Sequence, residues 1–83
     1  MKVLYFAWLK QKIGAAEEEV APPPEVVDVA GFLDWLSARS PRHRQALAHR
    51  SVVRVAVNQS YAQPNHPVRH GDEIALFPPV TGG

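Results

Sequence analysis

The chain has 83 residues, no cysteine and a formal net charge of +1. This length predicts one small domain with a modest core, and the lack of cysteine excludes both disulfides and thiolate chemistry of the chain's own. The near-neutral charge argues against a nucleic-acid-binding protein, and no apolar run approaches the roughly 20 residues of a membrane span. Residues 1–7 are apolar but lack the small-residue cleavage region of a signal peptide, so we expect a cytoplasmic protein.

The first half of the chain predicts two strands and the main helix. Val3 to Ala7 is apolar and aromatic and predicts a strand, and Trp8 to Ile13 predicts a short helix that ends at Gly14. Glu17 to Val20 is expected to return as a second strand with solvated glutamates. Asp28 suits the N-cap of the main helix. The apolar positions that follow it recur at helical spacing and are Val29, Phe32, Leu33 and Leu36.

The second half predicts two longer strands. Residues 42–48 suggest a further helical turn, residues 52–57 a strand, and residues 58–60 a turn before a short strand fragment at Tyr61. A Gly-Asp turn leads into the last strand, Glu73 to Phe77. In that strand Ile74 and Leu76 share one face, whereas Ala75 and Phe77 share the other.

Two groups of charged or histidine residues could carry a site of their own. The basic neighbourhood of Arg39, Arg42, His43, Arg44 and Arg50 could bind nucleic acid, but no aromatic residues interleave its charges, so we favour a solvated face or a docking patch for an acidic partner. His66 and His70 have the spacing of helical metal ligands, yet Pro67 and Gly71 predict a loop, and we expect no metal site. Neither a nucleophile elbow nor a phosphate-binding glycine loop is present in the sequence, so the sequence offers no catalytic motif of these two kinds.

The chain ends in Phe-Pro-Pro-Val-Thr-Gly-Gly, residues 77–83. Glycines lack a Cβ, so such an end can bring its carboxylate through a narrow channel, and the two prolines end the strand ladder. Together with the turn and strand of residues 66–77, with Val57-Asn58-Gln59 and with the opening strand, this ending resembles the molybdopterin synthase small subunit, a ubiquitin-like sulfur carrier. The close match covers residues 66–83, and residues 17–50 match in pattern only.

The order strand, strand, helix, strand, strand predicts an α+β domain with a mixed sheet and one main helix on one face. The resemblance implies the same fold, a ubiquitin-like β-grasp over residues 1–83 with a flexible Gly-Gly tail at residues 78–83. The first and last strands then lie side by side at the sheet centre. The side chains expected to face the helix are Val3, Tyr5, Ile74 and Leu76. Those expected to form an exposed partner surface are Leu4, Phe6, Tyr61 and Phe77.

The resemblance also implies a chemistry for the tail. An ATP-dependent activating enzyme adenylates the carboxylate of Gly83, sulfur from a donor replaces AMP, and the thiocarboxylate gives its sulfur to cyclic pyranopterin monophosphate during molybdenum cofactor biosynthesis. The transfer takes place in the active site of a large subunit, within a heterotetramer, so this chain is a non-catalytic carrier that binds no cofactor directly. Val80, Thr81 and Gly82 would thread the channel. The residues that would bind the partner are Phe6, Lys10, Tyr61 and Phe77.

Two departures from the family pattern imply an interface that differs in detail. Lys10 stands where the family commonly has arginine, and Tyr61 stands where an aliphatic residue is usual. Lysine keeps the charge but loses the planar fork of a guanidinium. Three other functions remain open at this point: a sulfur carrier for thiazole or tRNA thiolation, a ubiquitin-like modifier joined through Gly83 to lysine, and a binding module with an inert tail.

Overall fold

The computed structural model describes residues 1–79. Its elements in chain order are β1 (Lys2–Tyr5), α1 (Trp8–Ile13), β2 (Glu17–Glu19), α2 (Val29–Ser37), α3 (Pro41–Ala46), a 3-10 helix (Arg50–Val52), β3 (Arg54–Val57), β4 (Ser60–Tyr61) and β5 (Glu73–Phe77). Among these described residues, no helix has the length and apolar character needed to cross a membrane.

The five strands form one mixed sheet in the order β2-β1-β5-β3-β4. β1 and β5 run parallel at its centre, whereas the β1–β2, β3–β5 and β3–β4 pairs are antiparallel. A parallel pair needs a long crossover connection, and here the connection is nearly the whole chain, including α2. The predicted β-grasp, with the first and last strands side by side, is confirmed.

The core lies between the sheet and α2. Val3 and Tyr5 on β1 pair in register with Ile74 and Leu76 on β5, and all four side chains are buried. The buried side chains that α2 contributes are Val29, Phe32, Leu33 and Leu36. Burying an aliphatic or aromatic side chain stabilises a fold by about 1.5–3 kcal/mol. A slip of one residue in β5 would expose this whole set, so burial fixes the register.

Local signals set the ends of the helices. The Asp28 carboxylate accepts a hydrogen bond from the Gly31 N–H at 2.8 Å and caps α2 as predicted. Gly14 has φ 90° and ends α1, donating its N–H to the Lys10 carbonyl at 2.8 Å. A Cβ on Gly31 would lie 3.1 Å from the capping Asp28 oxygen. The small size of Gly31 therefore leaves room for the capping carboxylate.

Several predicted boundaries, including the ends of β2 and α3, are wrong by one or two residues, and three of them have a clear local cause. β1 is shorter than expected because Ala7, with φ 55° and ψ −132°, turns the chain into α1. The third strand begins later than expected, at Arg54, since residues 50–52 form the 3-10 helix. The turn before β4 takes only residues 58 and 59, whose φ angles are 50° and 72°, so Ser60 pairs with β3 instead of belonging to the turn.

Candidate functional site: the open face of the sheet

The side chains that alternate with the core positions lie on the side of the sheet away from α2, which we call the open face. Strand pairing arranges them in rows across the sheet. The first row, read from β1 to β4, is Leu4, Ala75, Ala56 and Tyr61. The second row, at the carboxyl end of β5, is Phe6, Phe77 and Arg54. These seven residues come from four strands and from the corner after β1, and only the pairing brings them together.

Two alanines form the floor between the rings of the open face. Ala56 and Ala75 pair opposite each other on β3 and β5. Tyr61 and Phe77 stand two strands apart, a separation of about 9–10 Å between backbones. Their ring centroids nevertheless lie 5.6 Å apart at an interplanar angle of 59°, a favourable aromatic geometry. The rings meet because the alanine side chains between them are too small to keep them apart.

The open face leaves large apolar side chains in contact with water. Tyr61 is 76% exposed and Phe6 is 48% exposed, while Leu4 and Phe77 are half-buried. A contiguous exposed apolar patch on a small soluble fold usually marks a binding surface. These four side chains point away from α2 as the strand parity predicted, and their role in partner binding stays a prediction.

The corner between β1 and α1 positions the Phe6 end of the open face. The Phe6 N–H donates to the Leu76 carbonyl at 3.1 Å, and the Phe6 carbonyl accepts from the Leu9 N–H at 3.2 Å. Ala7 follows with its positive φ, a backbone conformation that costs a non-glycine residue on the order of 1–3 kcal/mol. Lys10 is exposed on the first turn of α1. This corner therefore presents an aromatic ring and a cation within one helical turn of each other.

Arg54 belongs to the open face, although sequence reasoning did not single it out. It pairs in register with Phe77 and is exposed. Its Nη1 donates to the Ser51 carbonyl at 2.9 Å, and within residues 1–79 no carboxylate lies within 4.0 Å of its guanidinium. Arg54 alternates in the sequence with the buried valines of β3, and this alternation could have indicated that Arg54 lies on the open face. Its neighbour on β5 could not be read from the sequence.

The tail begins in the sequence where β5 ends, at the second row of the open face. β5 is hydrogen-bonded to β1 on one side and to β3 on the other, and it runs directly into Pro78 and Pro79, which are half-buried. Proline has no N–H to donate, so the ladder ends there. The residues predicted to thread the channel and to react lie outside the described residues and are Val80, Thr81, Gly82 and Gly83.

A buried polar network lies on the opposite side of the sheet, toward α3. The Glu18 carboxylate oxygen Oε1 accepts a 2.6 Å hydrogen bond from the Tyr5 hydroxyl and lies 2.8 Å from Nε2 of His43. The other ring nitrogen of His43 lies 2.7 Å from the Ser40 hydroxyl. The expectation that the glutamates of β2 are all solvated is therefore wrong for Glu18. The assignment of His43 to a solvated basic face is also wrong, since His43 is buried.

This network shifts two pKa values. Burial, followed by the hydrogen bond to Glu18, raises the pKa of the Tyr5 hydroxyl far above its usual range. For Glu18, burial acts to raise the pKa, but the hydrogen bonds from Tyr5 and His43 outweigh it, and the pKa of the carboxyl lies below its usual value. The network therefore holds an ionised carboxylate between two donors. It ties β1 and β2 to α3 and lies on the far side of the sheet from the exposed rings.

The histidines at positions 66 and 70 are not arranged as ligands. In residues 1–79 no group of three or more histidine, cysteine, aspartate or glutamate side chains could hold a metal ion. Nδ1 of His66 lies 2.8 Å from the Pro67 carbonyl, and the segment is not helical, as the sequence predicted.

A cleft of about 630 Å³ lies between the start of α2 and strands β3 and β4. It borders the open face at Tyr61. Among the described residues that line it there is no histidine, carboxylate, serine or cysteine. Arg50, which also lines the cleft, pairs with Asp34 at 3.0 Å. The described lining offers no pair of groups suited to acid–base chemistry.

The comparison with known families covers almost the whole chain. The sequence matches the ThiS family over residues 3–83, a range that includes the open face and the terminal Gly-Gly. The chain belongs to the ThiS family.

Individual relatives of this ThiS-family chain have similar lengths. The molybdopterin synthase sulfur carrier subunit of Escherichia coli is 39% identical over 83 residues, which is 100% of this chain and 99% of the relative. Among solved structures, SAMP1 from Haloferax volcanii, the small archaeal modifier protein 1, superposes with a TM-score of 0.77 at 30% identity and covers 100% of this chain and 98% of its own.

A third neighbour was solved in a complex. It belongs to the protein–protein complex of subunits 1 and 2 of molybdopterin-converting factor from Helicobacter pylori 26695. Its TM-score is 0.63 at 24% identity, with 99% of this chain and 96% of that chain covered. At this identity the likeness concerns the β-grasp fold that the two chains share.

Proposed function

We propose that this ThiS-family chain is the sulfur carrier subunit of a molybdopterin synthase. One observation carries the proposal. The central strand of the sheet, β5, ends at Phe77 inside the exposed aromatic face, and in the sequence Phe77 is followed directly by Pro-Pro-Val-Thr-Gly-Gly. A partner that covers the open face therefore receives the tail at the same time. The 39% identity to a named sulfur carrier subunit over the full chain supports the proposal.

The chemistry proposed for the tail starts at the carboxylate of Gly83. A carboxylate is a poor acyl donor because it is negative and resonance-stabilised. An activating enzyme joins it to the α-phosphate of ATP and releases pyrophosphate, which gives an acyl-adenylate with AMP as the leaving group. Hydrosulfide, or a donor that delivers sulfur at the same oxidation level, then attacks the acyl carbon and displaces AMP, and the product is a thiocarboxylate. ATP belongs to the activating enzyme in this scheme, and the carrier itself supplies the carboxylate.

Delivery of the sulfur needs a second partner. We propose that the large subunit of the synthase covers the open face through Phe6, Tyr61 and Phe77, with Lys10 at the rim. The tail residues Val80, Thr81 and Gly82 then extend into its active site, where the acid–base groups act on cyclic pyranopterin monophosphate. The 39% identity over the full chain to a protein named as a subunit of a molybdopterin synthase supports a partner of this kind.

A test of the carrier chemistry is mass spectrometry of the intact chain after incubation with its activating enzyme, ATP and a sulfur source. The native chain should gain the mass difference of one sulfur replacing one oxygen. A chain with one alanine added after Gly83 should not, because the carboxylate moves by about 3.5 Å, and a misplacement of about 1 Å can already lower a rate roughly 100-fold. An unmodified native chain beside a competent enzyme would refute the carrier function.

A second candidate is a protein modifier, because the neighbour at TM-score 0.77 is a small archaeal modifier protein. Both functions begin with the same adenylate at Gly83, and they differ in the acceptor of the acyl group. A modifier ends in an isopeptide bond to a lysine, whereas a carrier returns with a free carboxylate.

An experiment in cells that express an epitope-tagged chain distinguishes the modifier from the carrier. Lysine-linked conjugates that disappear when Gly83 is deleted would favour the modifier, and a free chain in complex with the large subunit would favour the carrier. Carriers for thiazole or tRNA thiolation would share the thiocarboxylate and differ in the partner recovered.

A further inference from the structure

Two cations flank the point where the tail leaves the sheet. Arg54 lies on one side of Phe77, as its partner in register on β3. On the other side the second row continues to Phe6, and Lys10 follows on the first turn of α1. Both cations are exposed, and no carboxylate of residues 1–79 lies within 4.0 Å of either charge. The apolar surface at the root of the tail is therefore bordered by positive charge on both sides.

The sequence gives Arg54 no acidic neighbour to pair with locally. Between Asp34 and Asp72 the chain contains no aspartate or glutamate, whereas residues 17–34 contain six. Among the partners in residues 1–79, the guanidinium makes one hydrogen bond, from Nη1 to the Ser51 carbonyl at 2.9 Å. An arginine presents five N–H donors in a planar fork suited to a carboxylate. Within the described part of the chain, most of these donors therefore have no partner and can meet a binding protein.

A partner that covers Phe77 must also approach Arg54, since the two residues share one row. Bringing an unpaired guanidinium into an interface is costly unless an opposite charge meets it. Complementary charge at the edge of an interface also speeds encounter and fixes register. A fully apolar partner surface would not meet these requirements.

We propose that Arg54 is a docking residue that pairs with a carboxylate on the large subunit, beside the opening that takes the tail. The inference rests on the proposed function and specifies the partner's surface as acidic on the β3 side of the tail. Arg54 and Lys10 then hold the root of the tail from both sides, so the tail enters in one orientation. Arg54 is a positioning residue, because it acts through the docked geometry and not on the reacting atoms.

The test measures association of the purified large subunit of the same organism with four variants of the carrier. Arg54→Gln removes the charge, Arg54→Glu reverses it and Arg54→Lys keeps it. The matched control is Arg44→Glu, since Arg44 is an exposed arginine on α3, on the helix side of the sheet, and also lies away from every carboxylate of the described residues. Rates are recorded by stopped-flow fluorescence at ionic strengths of about 0.05 M and about 0.3 M.

We expect Arg54→Gln to lower the association rate constant about threefold and Arg54→Glu about tenfold or more at low salt, with a weaker salt dependence than the wild type. Arg54→Lys should restore the association rate, although dissociation should be faster because the fork is lost. Thermal melting of all variants should stay at the wild-type value. A purely structural role for Arg54 would move the melting temperature and leave the salt dependence unchanged.

The outcomes separate this inference from the function on which it rests. If the wild-type carrier binds the large subunit and Arg54→Glu associates as fast as Arg44→Glu, the Arg54 inference is wrong and the carrier function stands. If the wild-type chain does not bind the large subunit, both are wrong.

Discussion

Replacing Glu18 by alanine tests the buried network in the most direct way. The change removes the acceptor that serves both the Tyr5 hydroxyl and His43 Nε2, at 2.6 and 2.8 Å. Tyr5 is 2% exposed and His43 is 7% exposed, so both donors lose their partner inside the protein. A buried donor left without a partner costs about 1–3 kcal/mol. In the native chain, no buried side-chain nitrogen or oxygen of residues 1–79 lacks a partner.

The expected loss of unfolding free energy is about 2–3 kcal/mol, below the sum for two donors, because the Glu18 side chain is 27% exposed and water can replace part of the carboxylate. Urea denaturation followed by circular dichroism measures it as a lower midpoint at an unchanged slope. For a domain of this size the melting temperature should fall by about 10–20 °C. The stability of Glu18→Gln should lie between those of the wild type and Glu18→Ala, since the amide oxygen keeps an acceptor but not the charge.

The neighbouring Glu17→Ala is the matched control. Glu17 pairs with Lys2 at 3.2 Å on the surface, where both side chains are largely exposed, and such pairs contribute little. The reasoning is refuted if the alanine variants at positions 17 and 18 have the same stability. That result would mean that Glu18 is solvated, as the glutamate run suggested from the sequence.

The pH dependence of stability follows from the same carboxylate. The pKa of Glu18 is lower in the folded chain than the usual value of 4.5. The folded state therefore favours the ionised form, and the stabilisation is complete above pH 4.5 and is lost as the pH falls through the lower folded value. Unfolding free energies of the wild type should decline in this range more steeply than those of Glu18→Gln, which has no proton to bind. If the unfolding free energies of the two proteins fall equally with pH, Glu18 is not the carboxylate responsible for this pH dependence.

The remaining predictions concern the two faces of β5 and the cap of α2. Phe77→Ala should weaken large-subunit binding by about 2 kcal/mol or more in titration calorimetry and leave the melting temperature nearly unchanged, because Phe77 lies on the open face. Ile74→Ala should do the reverse, with a loss of about 2–5 kcal/mol in stability, since Ile74 is fully buried. Equivalent effects of these two changes would contradict the assignment of faces. Asp28→Ala should lower the unfolding free energy by about 1 kcal/mol in urea denaturation, because the cap of α2 is lost. Asp28→Asn should retain most of the wild-type stability, since asparagine also caps helices. An Asp28→Ala variant as stable as the wild type would show that the cap is dispensable.

Short-range patterns in the sequence were sufficient for the elements and their buried faces. Alternation in residues 73–77 identified Ile74 and Leu76 as core positions, because successive side chains of a strand point to opposite faces. Helical spacing identified the buried stripe of α2, and Asp28 marked its start. The element boundaries were less certain. The turn at Ala7 depends on a positive φ that alanine rarely adopts, so no residue type announced it.

Contacts between distant residues depended on the tertiary structure. Glu18 and His43 are 25 positions apart, and their pairing requires α3 to lie against the edge of the sheet. A run of three glutamates has no local feature that distinguishes the one whose side chain turns inward. The composition of the basic segment likewise could not show that His43 is buried while the arginines beside it are exposed.

The sequence alone determined the fold class and the core positions, because these depend on the order of the elements and on periodicity within each element, and its terminal motif predicted the chemistry of the tail. The tertiary structure decided which side chains share the open face. Phe6, Phe77 and Arg54 lie in one row only because β5 inserts between β1 and β3 in a single register. That register is set by the burial of Ile74 and Leu76 against residues far away in the chain, and a property of paired strands cannot be read from either strand by itself.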